Sequence, residues 1–584
     1  MTEPAAQEVL ERIAAAEPEL LTGVDVGNLG GEPAEPAEPG GGQTEESDGR
    51  IEPVYDEATR RDIQGNIVPG FNKDHQHFLF LRICDREQAR RWVAGISSSI
   101  TSMDAALGFV REYRARRLAE GVRAPAGLTA TWVNIAFSHP GIRTLAGADE
   151  AKRFGEESFR QGLAARSTYL GDPTSAEHSG HRDNWVVGGP DNEADVLVVV
   201  AADDEHDLTA RVEEIRDGLD GLDVVYEQCA AALPGTLAGH EHFGFKDGVS
   251  QPGVRGRLSE APDDFLTPRY AAAPTAGDAD TRPELYAKPG QQLVWPGQFL
   301  LGEPRQDTEN LVDRAAPPEP PTHPEWARRG SYLVCRRLRQ DVPGFWNFAA
   351  AAATRAGTTP EHLASMMVGR WPSGAPLMRA ATADDPALAG DEFANNNFLF
   401  DDDTRPLPLR PIPGYPGDNF PRAEGDMLGT VCPHYAHIRK THPRDIVTEL
   451  GKPHDSMLRM IMRRGIAYGE PYLGAAHPDP DADRGLMFLC YGATIEDQFE
   501  FLTRRWSNLP NQPNDGGHDP VIGQRDSHGN RERHIDVPAA DGSTVRITIE
   551  RDWVVPTGGG YFFAPPISAL STALGGHLQP VPQQ

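Results

Sequence analysis

Cysteine is scarce in this chain of 584 residues: five in all, at 84, 229, 335, 432 and 490, with no Cys-x-x-Cys. Such scatter argues against a disulfide framework and a thiolate metal centre, and favours a reducing cytoplasm. Basic charge is also in deficit. Lysine and arginine number 56 against 86 acids, a formal charge of −30, which argues against nucleic acid or anionic membrane as a partner. No apolar run approaches the roughly 20 residues of a membrane span. The first residues are acidic and hold no basic-then-apolar leader. Arg60-Arg61 lies far from the start and runs into polar Asp62-Ile-Gln-Gly65, so it is no export signal.

What is present divides the chain. Residues 1–60 read as a disordered or weakly helical arm. Val9, Leu10, Ile13, Leu20 and Leu21 offer one apolar stripe, and the Glu-Pro-Ala repeat between Gly31 and Gly42 has too little apolar content to fold. Its functional reading is a tethered docking peptide for an unknown protein. From Asp62 the pattern turns globular. Strands are expected at 78–83, 132–137, 196–201 and 224–226, with helices at 86–96 and 208–219. The rhythm then repeats: a strand at 332–335, a helix holding Phe345, Trp346 and Phe348, a strand at 486–490 and a helix at 495–506. Strands separated by single helices, twice over, predict two paired α+β modules. Pro- and Gly-rich stretches near 255–325, 371–425 and 507–535 are too long for ordinary connections and are expected to wrap the surface and shape access to a site.

Two clusters carry chemistry. Gly244-Phe-Lys-Asp-Gly248 holds one carboxylate, Asp247, on a glycine turn among aromatics, where a short acid can move protons without full solvation. Cys432-Pro-His-Tyr-Ala-His437-Ile-Arg-Lys-Thr-His-Pro-Arg444 crowds three histidines, and Arg463-Arg464-Gly465-Ile-Ala-Tyr-Gly469 follows. Three-residue spacing between His434 and His437 also admits a zinc hydrolase built on the 434–442 histidines.

These segments, with Asp62-Ile-Gln-Gly-Asn-Ile67, Gly330-Ser-Tyr-Leu-Val334, Gly369-Arg-Trp-Pro-Ser-Gly374 and Gly558-Gly-Gly-Tyr-Phe-Phe563, resemble the dye-decolorizing peroxidases, in particular their long fungal and bacterial-cytoplasmic forms. The resemblance spans about residues 60–575. It implies two ferredoxin-like modules with antiparallel sheets: 61–325 carrying the acid turn, and 326–584 carrying the haem-ligating histidine. It implies one haem b per chain and a peroxidase that reduces hydrogen peroxide. Aromatic, phenolic or dye-like donors, and Mn²⁺ as a further class, would be oxidised through a ferryl intermediate. A haem-handling protein with little turnover is the rival reading.

The resemblance selects His437 as axial ligand, Asp247 as distal acid–base and Arg463 as distal cation. Arg464 is left to solvent or a propionate. Phe245 and Phe243 would pack against porphyrin or narrow the channel. Glu500, or else Asp497, would support the His437 ring, and Arg439, Arg444 and Arg370 are candidates for propionate pairing. Tyr468, Tyr472, Trp506 and Trp553 are candidate electron relays.

Overall fold

Strand β1 (His75–Ile83) sends Phe78 and Phe80 to one face and Leu79 and Leu81 to the other, and all four are buried. A strand apolar on both faces must be covered on both. The structure, a computed structural model, describes residues 52–576 apart from 121–126, 273–284, 308–321, 402–406, 408, 413, 423–424, 475–478, 480, 525–531 and 540–541. It supplies both covers. On one face Leu79, Leu81, Val198 and Val200 pack against Trp92 and Val93 of the helix Arg86–Ile96 and against Leu208 and Val212 of the helix Glu205–Asp217. On the other, Phe78, Phe80, Leu197 and Val199 meet Leu489, Tyr491 and Phe562 from the second half of the chain.

The local signals for these elements are plain. Asp85 caps the first helix by accepting the Gln88 amide, and Ala89, Trp92, Val93 and Ile96 form its buried stripe. Asp204 caps the second in the same way. Strands β2 (Thr131–Phe137), β3 (Val196–Ala202) and β4 (Leu222–Ala231) complete an antiparallel set ordered β4-β1-β3-β2.

Two short parallel strands, β5 (Gly253–Val254) and β6 (Leu293–Val294), lie between the halves. The second half then builds β7 (Ser331–Gln340), β8 (Met462–Arg463), β9 (Ile466–Tyr468) and β10 (Gly485–Gly492). A separate hairpin follows, β11 (Arg533–Pro538) with β12 (Thr544–Ile549), and then β13 (Val554–Ala564). The order is β13-β7-β10-β8, with β9 also on β10. In both halves the last strand lies beside the first, then the third, then the second. This is the ferredoxin-like order, and the α+β class is the expected one. The halves share one nine-stranded sheet, joined where Phe563 of β13 pairs with Phe137 of β2.

Three expectations change. Residues 52–60 are body and not arm. Tyr55 is buried, Glu52 bonds Arg255 and Arg269, and Asp56 caps the helix Glu57–Asp62. The rest of the arm lies outside the described residues. The helix expected at 495–506 is two π-helical segments, Ile495–Glu500 and Leu502–Ser507. The stretch 507–535 does more than wrap, because it runs into β11 and carries a site residue.

Candidate active site

The acid turn is held from behind by a carboxylate. Glu241, half-buried, accepts the amides of Phe243 (2.9 Å) and Phe245 (3.0 Å) and is bonded by Gln340 at the end of β7. Burial raises its carboxyl to about 7, against those hydrogen bonds. Gly244 at φ +90° and Gly248 at φ +73° supply the left-handed backbone that such a turn needs. Lys246 donates its amide to Pro372 O and Asp247 its own to Gly239 O, both at 3.0 Å. The turn is therefore fixed to the Gly369–Gly374 segment.

Arg463 reaches Asp247 from β8. Its Nη1 lies 2.9 Å from Asp247 Oδ1, and its Nη2 donates to Ser250 O at 2.8 Å. Its backbone is clamped on both sides by Gln251. Burial pushes the Asp247 carboxyl up, but Arg463, the Gly248 amide and the His437 ring together bring it below its ordinary value. Both side chains keep part of their surface open, Asp247 being 38% and His437 28% accessible, although Phe245, Cys432 and Arg444 are buried.

His437 starts the short helix His437–Thr441, which is pinned on three sides. Gly369, at φ +96°, lets the chain approach Ile438 so closely that a Cβ there would lie 2.4 Å from Ile438 Cγ1. Arg439 bonds Asp426 at 3.0 Å and the Cys432 and Asp426 carbonyls. Lys440, fully buried, donates to Leu509 O, Gln512 O and Gly517 O. Burial lowers its ammonium to about 8. By gripping that loop Lys440 delivers Asp519. Asp519 Oδ2 lies 2.8 Å from His437 Nδ1, while Oδ1 accepts the Val521 and Ile522 amides. Its side chain is 0% exposed. Burial raises the Asp519 carboxyl, but His437 and the two amides leave it below its ordinary value.

Several expected roles go elsewhere. Glu500 does not reach His437. It is buried in a bond to Arg166 and accepts the Tyr561 hydroxyl at 2.9 Å, because the π-helical winding turns it toward β13. Asp497 pairs with Arg459 near the surface. Asp519 takes the role proposed for them, in a Gly- and Pro-rich loop where periodicity carries no signal. Arg439 is spent on Asp426. Arg464 is half-buried, and its guanidinium is taken up by backbone, donating to Asn66 O, Ile67 O, Pro69 O and Arg463 O. Phe245 is packed into the core beside Trp346, ring planes 8° apart, and Phe243 stacks on Phe345 at 4.4 Å. Arg370 and Arg444 remain close together, both donating to Asn396 Oδ1 (2.9 and 2.6 Å). Burial and then Arg444 bring the Arg370 guanidinium down to about 9, and two like charges so placed favour an anion beside them.

The three histidines do not converge. His434 spends both ring nitrogens on carbonyls, Asp515 O and Met427 O, each at 2.8 Å. His442 bonds Gln292, and burial pushes it down to about 3. A zinc centre on this cluster is ruled out by those partners. Of the three, only His437 has one ring nitrogen held by a buried carboxylate and the other, Nε2, without a hydrogen bond. An imidazole with one nitrogen free and the other held by a buried carboxylate is the donor that haem iron takes.

Two family models match the chain: the DyP dimeric alpha+beta barrel domain over residues 62–231 and the C-terminal domain of Dyp-type peroxidases over 303–516. The dye-decolorizing peroxidase msp1 of Mycetinis scorodonius is 31% identical, the match covering 88% of this chain and 87% of the relative.

The chain belongs to the dye-decolorizing peroxidase family.

The dye-decolorizing peroxidase AauDyP1 of Auricularia auricula-judae is likewise 31% identical, with 88% and 86% covered. Among solved structures, an ancestral D-type dye-decolorizing peroxidase is similar with a TM-score of 0.68 at 29% identity, covering 89% of this chain and 99% of that one. Membership makes the chain a haem b-dependent peroxidase, and the reading as a haem-handling protein with little turnover gives way to it.

Proposed function

We propose that His437 holds haem b through Nε2 and that Asp247 and Arg463 work the peroxide on the opposite face, with aromatic and phenolic dyes as electron donors. The observation that carries this is the Asp247–Arg463 ion pair at 2.9 Å, alongside a His437 ring whose Nδ1 is held by the buried Asp519. Bound haem b would supply the redox chemistry, two electrons to split the O–O bond, recovered one at a time from the donor.

The protein's part is positional and protonic. Asp519 accepts the Nδ1 proton of His437, which fixes the tautomer with Nε2 free and raises the basicity of the ring. Asp247, a carboxylate over the working range because Arg463 and the Gly248 amide favour its charged form, takes a proton from the bound peroxide and returns it to the departing oxygen. Arg463 holds Asp247 in place and offsets the negative charge that develops as the bond breaks. Arg370 and Arg444 serve the propionates. Dye donors are favoured by the relatives' names, with phenols as the same class of aromatic one-electron donor and Mn²⁺ as a further class. Cytoplasmic placement is part of the same reading, supported by five thiols with none paired.

Absorption spectra taken before and after one equivalent of peroxide test the proposal. A Soret band that changes within the mixing time and returns on adding a phenol supports it. A Soret band indifferent to peroxide would falsify it.

A further inference from the structure

The ladder between β1 and β4 sets His77 directly opposite Cys229. The thiol is exposed, and its Sγ lies 3.4 Å from His77 Nδ1. The other ring nitrogen, Nε2, lies 2.8 Å from Glu227 Oε2, and Arg216 holds that carboxylate from the helix above. A carboxylate at Nε2 keeps the ring proton there, so Nδ1 presents its lone pair to the sulfur. The thiol donates, the imidazole accepts, and the carboxylate orients: a nucleophile, its base and the base's support in one hydrogen-bonded series.

The groups facing this series are Glu205, Glu227 and Arg216. Burial and then the two carboxylates push the Cys229 thiol up, against Arg216, so the sulfur reacts through a base and not as a standing thiolate. Burial lowers His77 despite Glu227, which leaves the ring neutral and able to take a proton at pH 7.

The same strand pair carries its own control. Cys84, also exposed, lies just past the other end of β1, and its Sγ donates to Asp223 Oδ2 at 2.9 Å. That bond pushes its thiol up, and the groups that hold it are Asp223 and the Arg82 carbonyl. The other three cysteines are buried, Cys335 and Cys432 being pushed up to about 12.

We propose that Cys229, His77 and Glu227 form a second, haem-independent site that reacts with hydrogen peroxide and oxidises the thiol to a sulfenic acid. As the thiol proton passes to His77 Nδ1, the sulfur attacks one peroxide oxygen. The S–O bond forms and the O–O bond breaks. Sulfur gives up two electrons, and the leaving hydroxide takes the proton from His77 and departs as water. A low-molecular-weight thiol then condenses with the sulfenic acid, releasing water and leaving a mixed disulfide, and a second such thiol frees Cys229.

The test uses the reduced full-chain holoprotein and peptide mass mapping. With limiting iodoacetamide, Cys229 should be alkylated roughly tenfold or more faster than Cys84, an advantage at the low end of general-base effects. The advantage should shrink as acidification protonates His77. With hydrogen peroxide and dimedone, the sulfenic-acid adduct should appear at Cys229. His77→Gln should bring both rates to the level of Cys84, and Glu227→Gln should lower them by several-fold while leaving the ring packed. Cys229→Ser should keep the Soret band and donor turnover. Equal alkylation of Cys229 and Cys84 overturns the proposal. So does a dimedone adduct undiminished in His77→Gln, which would assign the oxidation to radicals from the haem. If His77→Gln does not fold, Glu227→Gln decides: an unchanged rate there also overturns it.

Discussion

The two halves of the sheet share one strand order and differ in what joins their strands. In the first half the connections are helices that cover a sheet face, such as Arg86–Ile96 and Glu205–Asp217, and none of the proposed haem-site residues comes from them. In the second, the path from β7 to β8 runs from residue 341 to 461 and holds His437, Arg370 and Arg444, while the path from β10 to β13 holds Asp519. Asp247 comes from the segment between the halves. One topology thus serves as frame in one half and as carrier in the other. Sites are grafted onto a fold through its connections, which tolerate insertion where strands do not.

The comparison breaks most visibly at His437. His437→Ala should lose most of the bound haem, read as the Soret-to-protein absorbance ratio, whereas an alanine at His434 should retain it because that ring serves only two carbonyls. Retention of a normal Soret band by His437→Ala would reverse the ligand assignment.

Next come the two distal residues. Asp247→Asn should slow the peroxide-driven Soret change by ~10²–10⁴-fold, and Arg463→Leu by ~10²–10³-fold, each with haem bound. Stopped-flow mixing measures both. The double variant should lose less than the two losses combined, since both residues act on one bond-breaking step. The pH profile follows from the lowered carboxyl of Asp247. Its base form persists below the usual range near pH 3.9, so the acid limb of the peroxide reaction should lie below that pH and move up in Arg463→Leu.

Asp519→Asn should act more weakly, by about 10–100-fold, together with a raised Fe(III)/Fe(II) potential. Glu500→Gln should leave the potential alone and lower stability, because it breaks the bond to Arg166 and Tyr561 in the frame. An equal shift of potential in both variants would erase the distinction drawn between them.

The smallest effects belong to the frame. A chain starting at Tyr55 removes Glu52, the carboxylate bonded by both Arg255 and Arg269, and should be less stable than one starting at Ile51 by roughly 3 kcal/mol. Thermal melts of the two decide it. Burial raises Glu241 to about 7, above an unfolded value near 4.3. Its contribution to stability is therefore full below about pH 4.3 and is lost as pH rises through about 7. Melting temperature should fall over that window, and the fall should flatten in Glu241→Gln.

Residues carried by a period or a short motif were legible without coordinates. β1, β3 and the Arg86–Ile96 helix stand within a residue or a few of their apolar patterns, since a buried strand or stripe needs only its own sequence and a cover. Asp247, Arg463 and His437 each sit in a dense run of unusual residues, and the structure pairs the first two directly. Glu500 for Asp519 was the instructive miss. Both are acids near the end of the chain, and their linear neighbours do not say which one turns toward His437.

Residue chemistry by itself thus determined the α+β class, the two-fold rhythm of strands and helices, the acid turn and the histidine cluster, because these depend on side-chain type and near-neighbour spacing. Tertiary structure alone decided that one sheet spans both halves, that Lys440 draws the 509–517 loop under His437, and that Asp519 supports the ring while Glu500 braces Arg166. It also set Cys229 across from His77, about 150 residues away in the chain. Each of these is a contact between segments far apart in sequence, fixed by which buried polar group finds its partner when the core closes.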